Sequence, residues 1–515
     1  MTTVVGIDLG TTNSALAYVN TYGKPEVIPN SEGERITPSV VFFDGDLVIV
    51  GQTALEAAVT HPQAVVAGIK RQMGKGEFSY TAPSGQGYSP EQISAFILKK
   101  LKQDAEQTLG PLSDCVITVP AYFDDLRRRA TIAAGELAGW KVLHVLNEPT
   151  AAAVCYGLTQ AGLDQTLLVY DLGGGTFDVT VLKVVGSSVI VLATGGNPLL
   201  GGRDFDQLLV DHCREAFIEQ TGVDPSDDPS THNDWLRRVE RAKRDLSQRQ
   251  RTSVALSGGG HTTRIDLTRA QFEASASALL AETLDLCEET LSECRLGWQD
   301  LDLVLLVGGS TRMPMVTQLI TGLTGKPPHT PVNPDEAVAL GAALTAVSEA
   351  IRQHPEAVKS LNGMTETMAL RLGGRTRIED VTSHSLGILA YVGPHAIHDI
   401  LVPKNTPVPV EIKRQYKTQY DNQVSLEVPI LQGEATDPAL CVRLGELRIE
   451  GLPPRPEGAP VQVTMRYTRD GTVEVEALDI QANKQARARI DRSKQGLDPR
   501  QLAQAQVEMA HLQVE

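Results

Sequence analysis

The sequence predicts an α/β domain over residues 1–345 and a compact antiparallel β domain over residues 383–490. A polar helical segment and linker (346–382) joins them, and a short helical segment (491–515) closes the chain. Three observations carry this. Short β-rich runs alternate with helical segments up to about residue 345, and period-two runs dominate beyond Val381. A strand, an Asp-Leu-Gly turn and a second strand are also written twice, as GIDLGTTNSALAYV from Gly6 and VYDLGGGTFDVTVL from Val169.

Taken in order, the runs TTVVGID, SVVFF, CVITVP, TLLVYD, FDVTVLKVV, SVIVLAT and LDLVLLVGG read as strands. SPEQISAFILKKLKQDAEQTL reads as a helix, with Ser89 as cap and Pro90 in the first helical position. DLRRRATIAAGELAG is a second helix. From Ala346 to Arg377 the text turns polar and helix-compatible, and its Gly-Gly pair suggests a loop or linker. In VQVTMRYTRDGTVEVEAL the alternation around Asp470-Gly471 predicts a hairpin. Near the C-terminus, Asp498 and Pro499 start a helix that carries Leu502, Ala505, Met509 and Leu512 on one face.

A length of 515 residues is too great for one compact core. The net charge of −16 (47 basic against 63 acidic residues) argues against nucleic acid or anionic membrane as a bulk partner. No secretory signal is evident at the N-terminus, and no apolar run approaches the ~18 residues of a membrane span. The six cysteines show neither a CxxC pair nor a disulfide-like framework, so they read as reduced core thiols in a cytoplasmic protein. His395 and His398 lack further ligands and read as loop histidines, because zinc needs three or four ligands.

The doubled turn has a chemical reading. Tight Gly/Thr turns aim several backbone N–H groups into one concavity that binds oxyanions, and glycine lets the backbone approach phosphate closely. The hydroxyls of Thr11, Thr12 and Thr176 add donors, while Asp8 and Asp171 would repel the phosphates unless a divalent cation lay between. Mg²⁺ suits one or two carboxylates plus phosphate oxygens. A third loop, LVGGSTRMPMV, offers Gly308, Gly309 and Arg312 for a flat adenine-ribose unit. Glu240, Lys243, Arg244 and Ser247 share one helix face, which read alone is a solvated helix with an internal ion pair. Read alone, Lys70 is one more surface lysine.

GIDLGTTNS, VPAYF, NEPTAAA, DLGGGTFD, VGGSTRMP and NPDEAVALGAA occur in this order and together resemble signatures of the Hsp70 chaperone family. The resemblance implies an actin-like, two-lobed ATPase domain with a duplicated βββαβα core, followed by an antiparallel β-sandwich for extended peptides. It implies ATP/ADP and Mg²⁺ as cofactors, with K⁺ as an optional second cation. By position, Lys70, Glu148, Asp171, Thr176 and Asp178 would be catalytic, and Asp8 and Asp171 would hold Mg²⁺ through water. Gly10, Thr11, Thr12, Asn13, Gly173, Gly174, Gly175, Gly201 and Gly202 would surround the phosphates. Glu240, Lys243, Arg244, Ser247, Gly308, Gly309, Ser310, Arg312 and Asp335 would hold the nucleoside. Pro120, Arg128, Asn147 and Asp380 would relay nucleotide state.

In the second domain the resemblance assigns Ile388, Tyr416, Leu426 and Val428 to an apolar peptide pocket, with Tyr391 and Gln419 as an arch over the peptide. Expected partners are unfolded or extended polypeptides, a J-domain co-chaperone and a nucleotide exchange factor. Nucleic acid and membrane are not expected. The sequence departs from the family pattern in several places. Only the first helix of a lid is present, which implies weak, fast-exchanging peptide binding. The linker TRIEDVT carries Arg377 and Glu379 at apolar positions, which implies weaker docking. His144 stands where an arginine commonly holds the J-domain, and Arg203 replaces an acidic residue beside Gly202. A small-molecule kinase and a cytomotive filament share the phosphate turns but need no β domain. A nucleotide-gated regulator of one client is the remaining alternative.

Overall fold

The computed structural model describes residues 3–159, 164–186, 188–225, 228–330, 333–373, 377–468, 472–490, 499–510 and 512–515. Two sheets organise the first 380 residues. In one, the strands run in the order Lys141–Asn147, Asp114–Val119, Val4–Asp8, Asn13–Val19 and Pro25–Val27, with Thr37–Pro38 also paired to Asn13–Val19. Val4–Asp8 pairs parallel with Asp114–Val119 and antiparallel with Asn13–Val19. In the other, the order is Leu303–Val307, Asp164–Leu172, Phe177–Val185, Ser188–Asn197 and Arg377–Glu379. There Asp164–Leu172 pairs parallel with Leu303–Val307 and antiparallel with Phe177–Val185. Each Asp-Leu-Gly turn therefore leaves the end of a buried strand and returns into an antiparallel neighbour.

The strand and helix readings hold where apolar patterning is strong. Ser89 caps the Pro90–Leu109 helix in a reciprocal capping box with Gln92, so two otherwise unpaired backbone donors are satisfied. Helix Ala337–Gln353 is almost wholly apolar in its first half and lies between the two sheets, which its small Ala and Gly residues permit. Gly341 is one such contact, since a Cβ there would strike the Ala151 backbone.

The polar segment after residue 345 is not a free linker. Helix Ala337–Gln353 runs unbroken across residue 345, and Val358, Leu361, Met364, Ala369 and Leu372 are buried in the core shared by both sheets. The buried Asn362 side chain accepts from the Val4 N–H at 2.8 Å and donates to Val19 O at 2.9 Å. Sparse apolar residues at uneven spacing hid this packing from periodicity. The linker itself is docked: Arg377–Glu379 adds a parallel edge strand beside Ser188–Asn197, with Ile378 turned to the core. Backbone pairing holds a strand whose side chains are charged.

The second domain is a sandwich of two four-stranded antiparallel sheets. One runs His395–Val402, Leu386–Val392, Ser425–Gln432, Val442–Glu450, and the other Val410–Lys417, Pro460–Tyr467, Val473–Asp479, Lys484–Ile490. Inward residues such as Leu386, Ile430, Met465 and Val475 meet in one core, as alternation requires. Pro460–Tyr467 and Val473–Asp479 pair as the hairpin reading expects; Asp470 and Gly471 lie outside the described residues, as do Gly374 and Asp498. His395 and His398 correct the loop reading, because both sit on the His395–Val402 strand. His398 is buried, with Nδ1 3.1 Å from Ala435 O.

The helix read as the start of a lid, Pro499–Ala510, packs on the first lobe. Ala505, Met509, Leu512 and Val514 join a core with Tyr88, Ile93 and Phe96, and Gln92 donates to Glu508 at 3.2 Å. Gln513–Val514 then pairs parallel with Leu47–Val50, adding a strand to the sheet formed with Val40–Asp44 and Val65–Ala67. The Glu515 N–H donates to Val48 O at 3.0 Å, and Glu515 O accepts from Val50 N–H at 2.8 Å. Replacing Met509 and Leu512 together by Ala removes contacts worth about 2–5 kcal/mol per site. Amide exchange at Val50 and Glu515 is expected to accelerate at least about tenfold, since it reports local opening. Unchanged protection would show that strand pairing alone holds the segment.

Candidate functional site

The two Asp-Leu-Gly turns face each other across a cleft of about 1180 Å³ between the sheets. Their separation is set by missing side chains. A Cβ on Gly174 would run into Thr12, and one on Gly175 into Thr11. A Cβ on Gly201 would strike the backbone of Gly175 at 2.5 Å, and the Gly202 N–H donates to Gly173 O at 2.9 Å. Ser310 Oγ donates to the same Gly173 oxygen at 2.9 Å, which ties the third loop to the second turn. Gly10 lies against its own turn at Asn13. Asp8, Gly10, Thr11, Thr12, Asn13, Gly173, Gly174 and Thr176 line the cleft.

Deeper in the cleft Lys70 and Glu148 form a buried ion pair. Thr118 Oγ1 donates to Asp8 at 3.1 Å, and the Tyr122 N–H donates to Asp178 at 3.1 Å. Asp171 is buried between these groups. Four carboxylates thus surround one ammonium. Burial first, then Glu148, push Asp8 up to about 7. Burial and Glu148 likewise lift Asp178 to about 7. Asp171 is raised well above its ordinary range by burial, then by Glu148, Asp178 and Asp8.

On the far side Glu240, Lys243, Arg244 and Ser247 line the wall from helix Pro229–Gln248. Lys243 pairs with Asp206 at 2.8 Å and donates to Gly202 O at 2.8 Å, so it braces the glycine loop. Glu240 pairs with Arg244. Opposite, Gly308 takes φ +83°, where only glycine is unstrained, and a Cβ would strike Leu172 O. Gly309 abuts the Asp335 carboxylate, which Arg312 holds at 2.7 Å. Every residue expected at the nucleotide therefore borders one cleft or packs directly behind it. Sequence reading missed Arg71, whose Nε donates to Gly175 O at 2.7 Å and whose guanidinium pairs with Asp204 at 2.5 Å. Its place beside Lys70 in GIKRQMG was the available signal.

Four expected relay residues connect to the second domain. Arg128 is buried, and it donates to Asn147 Oδ1 at 2.5 Å, to Ser383 Oγ at 3.2 Å and to Phe123 O at 3.1 Å. Asn147 Nδ2 donates to Asp380 at 3.1 Å, and Pro120 O accepts from the Phe123 N–H at 3.1 Å. The sandwich itself touches the ATPase side: Gln432 Oε1 accepts from the Asp125 N–H at 3.2 Å, and Lys404 pairs with Glu293 at 2.9 Å. Of the residues expected around a peptide, Ile388 and Val428 are buried in the sandwich core, with Leu426 and Tyr416 partly buried against it. Tyr416 Oη donates to Asp399 at 2.5 Å, and Tyr391 and Gln419 stand exposed.

The donor set fits a hydrated divalent cation carried with a polyphosphate. Four carboxylates face one lysine, and among the described residues the buried Thr12 Oγ1 has no hydrogen-bond partner. Among the described residues, no three His, Cys, Asp or Glu side chains converge to ligate a metal directly. The pH dependence has a definite sign. The folded pKa values of Asp8 and Asp178 lie above the ordinary 3.8, so their contribution to stability is present below about pH 4 and lost as pH rises through about 7. At pH 8, Asp8→Asn is expected to raise the melting temperature of the nucleotide-free chain by about 2–4 °C. The same variant should lose the added stabilisation from Mg²⁺ with ATP. A lowered melting temperature would show that Asp8 is not repelled by its neighbours.

Among the described residues no helix is long and apolar enough to cross a membrane. The Hsp70 protein family model matches residues 4–82 and 76–515. The Chaperone protein DnaK of Thermotoga neapolitana is 42% identical over 493 residues, covering 94% of this chain and 79% of that protein. The protein of that name from Halobacterium salinarum is 42% identical over 486 residues, covering 92% and 73%. That from Thermosipho melanesiensis is 40% identical over 491 residues. With the facing phosphate turns and the β-sandwich already in place, these matches show that the chain belongs to the Hsp70 family of molecular chaperones.

Proposed function

We propose that the chain hydrolyses ATP in the cleft between its two sheets and uses the cycle to control binding and release of extended polypeptide by the sandwich. The family consists of ATPases that bind ATP and ADP with Mg²⁺, and that much follows from membership. The observation that carries the finer reading is the opposition of Thr11 and Thr12 to Gly174 and Gly175, with the Lys70–Glu148 pair between them.

In this reading the backbone N–H groups of both turns and the hydroxyls of Thr11, Thr12 and Thr176 bind the phosphate oxygens. Asp8 and Asp171 would hold Mg²⁺ through water, and the bound cation would supply charge neutralisation to the phosphates. Glu148 fixes the Lys70 ammonium where it positions the attacking water and the terminal phosphate. Asp178, held by the Tyr122 N–H, is placed to accept a proton from that water. Glu240, Lys243, Arg244, Ser247, Gly308, Gly309, Ser310, Arg312 and Asp335 bind the nucleoside side. K⁺ is an optional second cation. The two sheets represent the duplicated βββαβα core of an actin-like ATPase over residues 1–345.

The Arg128–Asn147–Asp380 chain supplies the route to the sandwich, because it ties the ATPase wall to the docked linker and to Ser383. Pro120 sets the turn that presents Phe123 O to Arg128. Ile388, Tyr416, Leu426, Val428, Tyr391 and Gln419 form the peptide site once the sandwich loosens, since two of them are core-packed in the docked arrangement. A J-domain co-chaperone and an exchange factor in the cytoplasm complete the cycle.

Steady-state hydrolysis with a panel of unfolded peptides tests this. Slow basal turnover and peptide stimulation are expected in the wild type. Lys70→Ala should lose at least about 10²-fold, the scale for one electrostatic catalytic group. Arg128→Ala should keep basal turnover and lose stimulation. Turnover indifferent to every peptide would remove the coupling.

A further inference from the structure

The basic side chains of the cleft are matched to carboxylates, with one exception. Lys70, Arg71, Arg237, Lys243, Arg244 and Arg312 each lie within 4.0 Å of a carboxylate. Arg203 lines the same cleft, yet among the described residues its guanidinium has neither an ion-pair partner nor a hydrogen bond.

Its placement is closely determined. Arg203 is the second residue of helix Gly202–Thr221, and its backbone N–H donates to Gly174 O at 2.9 Å. The residue is thereby fixed to the second phosphate turn. Its side chain crosses the cleft to the other lobe, where a Cβ on Gly68 would run into the Arg203 guanidinium. Gly68 takes φ +71° and stands two residues before Lys70. The guanidinium thus bridges the lobes beside the lysine expected at the terminal phosphate.

The charge balance around it is unfavourable as it stands. Crowding within the cleft lowers the Arg203 pKa first, and the neighbouring Arg71 lowers it further. Asp204, Asp206 and Glu240 pull the other way, but each is already committed to Arg71, Lys243 or Arg244. The Arg203 side chain is exposed on the cleft wall, so its guanidinium is open to an arriving anion and has no carboxylate to give up. Its planar fork suits two oxygens of one phosphate group.

We propose that Arg203 binds the terminal phosphate of ATP, reaching it from the second lobe while Lys70 reaches it from the first. The proposal rests on reading the cleft as an ATP site. It makes Arg203 a residue that distinguishes ATP from ADP, because ADP lacks the group it would hold. It also gives the bound nucleotide a direct part in holding the lobes together.

Calorimetric titration of the full chain in Mg²⁺ tests this with ADP and a non-hydrolysable ATP analogue. Arg203→Ala and Arg203→Gln should each weaken the ATP analogue about tenfold or more, the scale of one hydrogen bond to a charged group. ADP affinity should change less than about twofold by the same scale. Arg203→Lys should recover part of the loss, because it restores the charge without the fork. The melting temperatures of the variants without nucleotide should match wild type, since an exposed guanidinium without an ion pair contributes little to folding. Equal loss for both nucleotides, or no loss for either, overturns the role of Arg203. Failure of the wild type to bind either nucleotide overturns the reading of the cleft itself, and the two failures are distinguishable.

Discussion

The constraint on which the site depends is the close approach of the two Asp-Leu-Gly turns. Thr11 and Thr12 occupy the space that side chains on Gly175 and Gly174 would need, and Gly201 presses its backbone onto the same turn. Much else follows from that approach. It brings Asp8 and Asp171 into one site, leaves their charges mutually repelling, and defines a cleft whose natural filler is an anion with its own cation. Deep in the cleft, burial and Glu148 raise the pKa values of Asp8 and Asp171, and at its edge the Arg203 guanidinium has no ion pair among the described residues.

The wall of the cleft also reaches the sandwich. Asp178 shares its wall with Tyr122, and Tyr122 stacks edge-on against His384, with ring centroids 4.5 Å apart. Burial lowers the His384 pKa, so the neutral ring fits the contact between ATPase and sandwich. From the same wall Arg128 and Asn147 reach Ser383 and Asp380. The cleft wall therefore has a short, hydrogen-bonded connection to the linker. The linker is held mainly by strand pairing, which explains how Arg377 and Glu379 are accommodated in a docked segment.

Legibility followed local periodicity and local chemistry. The strand-turn-strand units, the capped Pro90–Leu109 helix and the alternating strands of the sandwich were plain because each is specified within about ten residues. The Gly-rich turns and their aspartates were legible for the same reason, since they are written contiguously, whereas Lys70 and the Glu240–Ser247 face were assigned only by the family resemblance. Residues 346–382 read as an inserted helical segment and linker; the burial of Val358 to Leu372 was not legible, because it depends on packing against helix Ala337–Gln353 and on strands Val4–Asp8 and Asn13–Val19 hundreds of positions away. His398 was misread as a loop residue because one buried histidine on a strand has no distinguishing pattern.

The sequence by itself determined the α/β and antiparallel β fold classes and the doubled Asp-Leu-Gly turn, because those are properties of short segments and of residue type. Only the tertiary structure decided where the C-terminal segment goes, for Gln513–Val514 completes a sheet edge formed by residues 40–67. It also decided which charges in the cleft are satisfied. Pairing depends on distances between side chains from different lobes, so the sequence marks Arg203 only as a departure from the family pattern until its neighbours are seen to be taken.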